Sequence, residues 1–181
     1  MAAGLGANVT VLDVNLERLR YLDDIMPPNV TTVMSNTYNI RTALRDADLV
    51  VGAVLLHGAR TPVLVTREMI RLMKPRAVVV DVAIDQGGVF ETSRPTTHTD
   101  PVYIGEGVVH YCVANMPGAV AGTSTHALTN VTAPYVLELA DKGWQSTISE
   151  SPPLAKGLNT AEGKVVLPQV AELFRGLSGA G

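Results

Sequence analysis

Ala77-Val78-Val79-Val80-Asp81-Val82-Ala83-Ile84-Asp85-Gln86-Gly87-Gly88 is the stretch on which the fold turns. Its first seven residues are apolar and valine-rich, the pattern of a buried parallel strand. The run then ends in an acid, an amide and two glycines. In an open α/β sheet, ligands collect just beyond the carboxyl ends of the strands. A carboxylate there, on a turn whose glycines let a ligand approach closely, makes Asp85 a candidate functional group. The local pattern fits a tight turn with a solvated acid equally well.

The segments before this stretch repeat its logic. Residues 8–12 read as a strand ending at Asp13. Asn15 is a good N-cap for a helix carrying Leu16, Leu19, Leu22 and Ile25 on one face, stopped by Pro27-Pro28. Residues 30–34 form the next strand, 35–37 a turn and 38–47 a helix. Residues 48–54 form a third strand. A loop over 55–62 leads to a helix over about 67–73, capped by Thr66. Residues 77–83 are the fourth strand and 108–113 the fifth. Strands alternating with short helices predict βαβ units and a parallel sheet with right-handed crossovers. Residues 1–7 look like a helix tail ending at a glycine, with no strand before it. The chain is therefore expected to start partway through an α/β unit.

Beyond Phe90 the pattern breaks. Residues 91–101 are polar and too long for an ordinary turn, so they are functional or mobile. After Pro117 the texture becomes small and polar. Residues 131–140 read as a helix packed through Val136, Leu137 and Leu139. Pro152-Pro153 marks a break, and residues 167–177 read as a last short helix with Pro168 in its first turn. The expected division is a partial dinucleotide-binding domain over residues 1–121 and a helical part over residues 122–181.

The chain has 181 residues, 46% of them hydrophobic and 17% charged, with mean hydropathy +0.21. That is enough for a substantial core. The net charge is −3 and no Lys/Arg block occurs, which argues against a nucleic-acid surface. The single cysteine, Cys112, excludes an internal disulfide and fits a reducing cytoplasm. No twenty-residue apolar span and no leader pattern are seen, so no membrane segment is expected.

Several strand ends carry candidate chemistry. An acid such as Asp13 at the end of a second strand can accept hydrogen bonds from an adenosine ribose diol, one hydroxyl per oxygen. It also favours NAD over NADP, because a 2′-phosphate would meet a like charge, although Arg18 stands nearby. An exposed acid helping to cap the next helix is the plain alternative. The glycine fingerprint that should accompany Asp13 is absent: Gly4 and Gly6 follow no strand. Gly52-Ala53-Val54-Leu55 ends the third strand in small residues, against which a nucleotide or a helix can lie. Asn115-Met116-Pro117 ends the fifth, where Asn115 offers a donor and an acceptor or simply makes a turn. His57, His98, His110 and His126 are scattered without metal-ligand spacing, so no metal site is expected. His110 reads as a core residue. Ser93 and Ser124 lack a nucleophile elbow.

Taken together, these segments resemble alanine dehydrogenase. The likeness rests on residues 80–97, from Val80-Asp81-Val82-Ala83-Ile84-Asp85-Gln86-Gly87-Gly88 to Arg94-Pro95-Thr96-Thr97. Tyr111-Cys112-Val113-Ala114-Asn115-Met116-Pro117-Gly118 is a second match, and Ala127-Leu128-Thr129-Asn130 and Ala155-Lys156-Gly157-Leu158-Asn159 add to it. The transhydrogenase α subunit shares the fold but differs around the Asp-Gln-Gly-Gly turn. The resemblance implies NAD as cofactor and reversible oxidative deamination of L-alanine to pyruvate and ammonia. By likeness Asp85 is catalytic and lies beside the nicotinamide, with Asn115 and Met116 flanking it. Asp13 holds the adenosine ribose with Arg18 near it, Ser35 faces the adenine side, and Val54 and Leu55 run along the dinucleotide. It also implies a small-molecule substrate and a homo-oligomer, a hexamer in the family.

Only the carboxyl-terminal half of the family is matched. The expected fold is thus a Rossmann-like parallel sheet lacking its first βα unit, followed by helices of the substrate domain. The family's catalytic lysine and histidine, its substrate-binding arginine and its glycine turn have no counterpart here. The fragment alone is expected to be inactive and to leave apolar surface open where a first strand would pair. The alternative is a non-catalytic nucleotide-binding or interaction fragment.

Overall fold

The computed structural model describes residues 1–56 and 60–174. Two compact units are present. The first holds Met1–Leu55 and Arg60–Ala114; the second takes up at Asn115.

In the first unit, strand β1 (Val9–Asp13) runs parallel to β2 (Val30–Met34), in register from Val9 opposite Val30 to Asp13 opposite Met34. Helix α1 (Leu16–Ile25) connects them. It starts where the Asn15 side chain accepts the Arg18 N–H at 3.0 Å, satisfying a donor the helix itself cannot. Leu19 is its buried residue, whereas Leu16 and Ile25, expected on the same inner face, are exposed. Helix α2 (Thr37–Asp46) starts one turn after β2, with Asn36 as its cap. The expected turn at 35–37 thus contains the capping residue.

A four-stranded sheet has, side by side, β3 (Leu49–Gly52), β4 (Val78–Asp81), β6 (Val108–Tyr111) and β5 (Val102–Gly105). Strands β3, β4 and β6 are parallel. Between β3 and β4 lies the short helix α3 (Arg67–Ile70), capped by Thr66 as expected. Strand β5 was not foreseen. It pairs antiparallel with β6 through a two-residue turn, Glu106-Gly107, both at positive φ as such hairpins require. Glu106 tolerates that backbone while held by Arg67 at 2.6 Å and Arg71 at 2.8 Å. The long polar segment before β5 is tied down: Thr96 donates its N–H to Cys112 O and accepts the Ala114 N–H on its own carbonyl.

The core lies on one face of this sheet. Leu44 from α2, Met69 and Ile70 from α3, Val79, Val89, Phe90 and Val108 pack together there. The other face is only partly covered: Leu49, Val51 and Ile104 are exposed there, and Val78 and Val80 are half-buried. The valine run of β4 accordingly alternates between buried and half-buried positions rather than being enclosed on both sides. Among the described residues β3 has no strand on its outer side, and β1 pairs only with β2.

In the second unit, helix α4 (Ala121–Lys142) begins well before the expected residue 131, and Gly122 lies in its first turn. Its small polar residues fit a helix because their hydroxyls bond back to the preceding turn. Thr129 Oγ1 donates to Thr125 O and Thr132 Oγ1 to Leu128 O, both at 2.9 Å. No residue of α4 is buried, and Val136 and Leu137, expected to pack inward, are exposed. Helices α5 (Trp144–Glu150) and α6 (Pro152–Lys156) follow, the second opened by the proline pair that was read as a break. A hairpin of β7 (Thr160–Ala161) and β8 (Lys164–Val165) leads to α7 (Pro168–Phe174). The expected continuation of α7 to residue 177 lies outside the described residues. No described helix is long and apolar enough to cross a membrane.

Candidate functional site

Two groups of strand ends in the first unit carry the candidate residues. At the tips of β1 and β2, Asp13 Oδ1 accepts the Asn15 N–H at 2.8 Å, while Oδ2 has no partner among the described residues. The Asp13 carbonyl accepts the Ser35 N–H at 2.8 Å, which brings Ser35 to the same tip. Arg18 joins through its backbone bond to Asn15, and its exposed guanidinium lies 4.9 Å from the Tyr21 ring centroid. Asp13, Arg18 and Ser35 are therefore gathered by three short-range links.

At the tips of β3 and β4, Gly52 stands opposite Asp81 in register. Half-buried Val54 packs on the core, and Leu55 is exposed. Asp85 sits in a single 3-10 turn, Ile84–Gln86, directly after β4. Its carboxylate is exposed and makes no hydrogen bond or ion pair among the described residues. Buried Thr61 ties the two strand ends together. Its N–H donates to Gln86 O at 2.9 Å, and its Oγ1 lies 3.5 Å from Val54 O.

The glycines following Asp85 are required by space as well as by backbone. Gly87 and Gly88 have φ of +105° and +81°. A Cβ on Gly87 would stand 2.8 Å from Nε of the exposed Arg60 side chain, which can swing aside. On Gly88 it would stand 2.7 Å from Asp81 Oδ2, which is buried and fixed. Gly88→Ala is expected to lower the unfolding free energy by roughly 2–4 kcal/mol, from left-handed strain plus displacement of Asp81. Gly87→Ala should cost less than half as much. Urea titration of the two variants compares them, and equal losses would remove Asp81 from the explanation.

Asp81 was read only as part of a strand. Its side chain is fully buried and acts throughout as an acceptor. Oδ1 accepts the Ala83 N–H at 3.1 Å. Oδ2 accepts from Val89 N at 2.8 Å, Phe90 N at 3.5 Å and Ser93 Oγ at 2.6 Å. An acid inside a valine run was the signal available in the sequence, because burying such a group is costly unless it is fully hydrogen-bonded.

The segment after the turn is pinned by β5 and β6. Tyr103 donates its hydroxyl to Thr92 O at 2.7 Å and accepts the Arg94 N–H at 3.0 Å. Burial pushes the Tyr103 phenol up to about 12, so it remains a donor at all ordinary pH. The ring stacks on His110 with centroids 4.9 Å apart. His110 is fully buried, as expected, with Nδ1 3.0 Å from Val108 O and Nε2 2.7 Å from Thr92 Oγ1. The carbonyl demands a donor at Nδ1, so neutral His110 accepts from Thr92 at Nε2. Burial lowers its proton affinity against smaller opposing effects of the Val108 carbonyl and Asp81. The unfolded ring thus binds protons more readily than the folded one. Stability from this residue is complete above the unfolded value near 6.5 and declines as pH falls below it. The urea midpoint of His110→Gln is expected to vary less than that of the parent between pH 7.5 and 5.5; parallel curves would refute this.

Asn115 and Met116 belong to the second unit. Asn115 adopts the left-handed conformation (φ 57°, ψ 51°) that asparagine tolerates, and it opens the 3-10 turn Met116–Val120. It also lines an open depression of about 610 Å³ with Pro117, Ser124 and Leu128. His57 lies outside the described residues. Among the described residues no cluster of His, Cys, Asp or Glu is arranged to hold a metal.

A sequence model described as alanine dehydrogenase/PNT, C-terminal domain, matches residues 1–168. The chain belongs to this family. Similarity to individual alanine dehydrogenases is high. That of Halomonas elongata is 57% identical over 174 residues, covering 96% of this chain and 47% of that protein. That of Geobacillus stearothermophilus is 58% identical over 172 residues, covering 94% and 46%. The chain spans about half the length of the curated relatives it matches. A solved L-alanine dehydrogenase superposes with a TM-score of 0.85 at 48% identity, over 98% of this chain and 49% of that one. The transhydrogenase of Sinorhizobium meliloti gives 0.60 at 27% identity, over 68% and 36%. The alanine dehydrogenase/PNT resemblance and the α/β fold read from the sequence are thereby borne out.

Proposed function

We propose that this chain is the dinucleotide-binding part of an NAD-dependent L-alanine dehydrogenase, which interconverts L-alanine and pyruvate plus ammonia. The observation that carries the reading is Asp85, an exposed carboxylate with no partner among the described residues, on a glycine turn at a strand's carboxyl end, in a chain 57% identical to an alanine dehydrogenase. The residues present fit a nicotinamide dinucleotide. Among the described residues one Asp13 carboxylate oxygen has no partner and can take a ribose hydroxyl, and its charge disfavours a 2′-phosphate, which selects NAD. Ser35 and Arg18 border the adenosine. Val54 and Leu55 offer an apolar edge, and the family likeness assigns Asn115 and Met116 to the nicotinamide. NAD, when bound, accepts a hydride from the alanine α-carbon. Asp85 provides negative charge beside that carbon, opposite the cationic character it develops as hydride leaves.

In this reading residues 1–121 belong to the dinucleotide domain and residues 122–181 supply helices to the substrate domain. By likeness to the family the enzyme is a homo-oligomer, and the lone, buried thiol of Cys112 fits a cytoplasmic setting. The test joins this chain behind the remaining half of the Halomonas elongata relative. The chimeric subunit should form NADH from L-alanine and, with NADP at equal concentration, run at less than about a tenth of that rate. A folded chimera that binds NADH but oxidises no alanine would overturn the proposal.

A further inference from the structure

We propose that Asp81 is a positioning residue for Asp85: its carboxylate clamps both ends of the turn that presents Asp85. This inference rests on the reading of Asp85 as catalytic. The turn enters at Ala83 and leaves at Val89. Asp81 Oδ1 takes the Ala83 N–H, while Oδ2 takes the N–H groups of Val89 and Phe90 and the Ser93 hydroxyl. One side chain thus fixes the distance between entry and exit. Inside the clamp the backbone closes on itself: Gln86 N and Gly88 N both donate to Ala83 O, at 2.9 and 3.0 Å. The whole turn is seated against Asp81, because Gly88 leaves no room for even one added carbon. Among the described residues Asp85 has no side-chain tether of its own, so this backbone sets its position. Among the described residues, every hydrogen bond that the Asp81 side chain accepts comes from the turn or from the segment directly after it. A residue serving only the core would not be spent in this way.

Displacing a reacting group by about 1 Å can cost on the order of a hundredfold in rate. In Asp81→Asn the shape is retained, but one side turns from acceptor to donor and faces the Val89 N–H. In the chimeric subunit we expect kcat to fall about 10–100-fold, with KM for NAD within about twofold. The decisive measurement repeats the substitution in an Asp85→Asn background. If Asp81 acts through Asp85, the second substitution lowers kcat by less than about twofold there. Ser93→Ala, which removes a single donor, should give a smaller loss that Ser93→Thr restores, and this pair decides the matter if Asp81→Asn fails to fold. Equal losses in both backgrounds, or no loss in either, would overturn the inference while leaving a catalytic Asp85 intact. Full turnover in Asp85→Asn alone would instead remove the catalytic reading, and this inference with it.

Discussion

Asp85→Asn in the chimeric subunit is expected to lower kcat for L-alanine oxidation by about a hundredfold or more, with the NADH dissociation constant changed less than about threefold. The amide has the size of the carboxylate but carries no charge and accepts no proton. Asp85 is exposed and has no partner among the described residues, so the unfolding free energy should move by no more than about 0.5 kcal/mol. That combination is the signature of a group used in chemistry rather than in packing. Stopped-flow NADH formation, fluorescence titration and a thermal melt separate the three quantities. A loss of nucleotide binding equal to the loss of rate would make Asp85 a binding residue only.

Asp81→Ala is expected to be the most destabilising of the substitutions considered, by about 3–5 kcal/mol, or roughly 10 °C in the melting temperature of the chain. The reason is not loss of a favourable contact. Two well-formed backbone N–H bonds, a longer one from Phe90 and a hydroxyl would be left in a dry interior with nothing to accept them. Phe90 and Val89, which follow the turn, are both core residues, so their displacement would open the apolar cluster as well. Differential scanning calorimetry at neutral pH measures the effect. A shift below about 3 °C would mean that water replaces the carboxylate at little cost.

The parallel strands are legible because valine-rich runs bounded by turn residues admit few alternatives. Residues 30–34 and the caps at Asn15 and Thr66 lie where local chemistry puts them. Strand β5 escaped because Val102-Tyr103-Ile104 is short and its pairing depends on a turn in which a glutamate adopts positive φ, sustained by two arginines distant in sequence. The early part of α4 escaped because threonine and serine are weak helix formers unless their hydroxyls find the preceding carbonyls. Of the candidate site, the strand-end acids could be read from position alone. Asp81 stands out as an acid in a valine run, but its role is not legible there, because the partners that make its burial tolerable lie two to twelve residues further along the chain.

The clamp around the Asp85 turn has a consequence for how a ligand is met. The turn surrenders its conformational freedom when the chain folds, long before any nucleotide arrives. Association then has only the freedom of the guest and of a few surface side chains left to restrict. Recognition at this strand end should resemble a key entering a finished lock, with a modest entropic penalty and little rearrangement of the backbone around it.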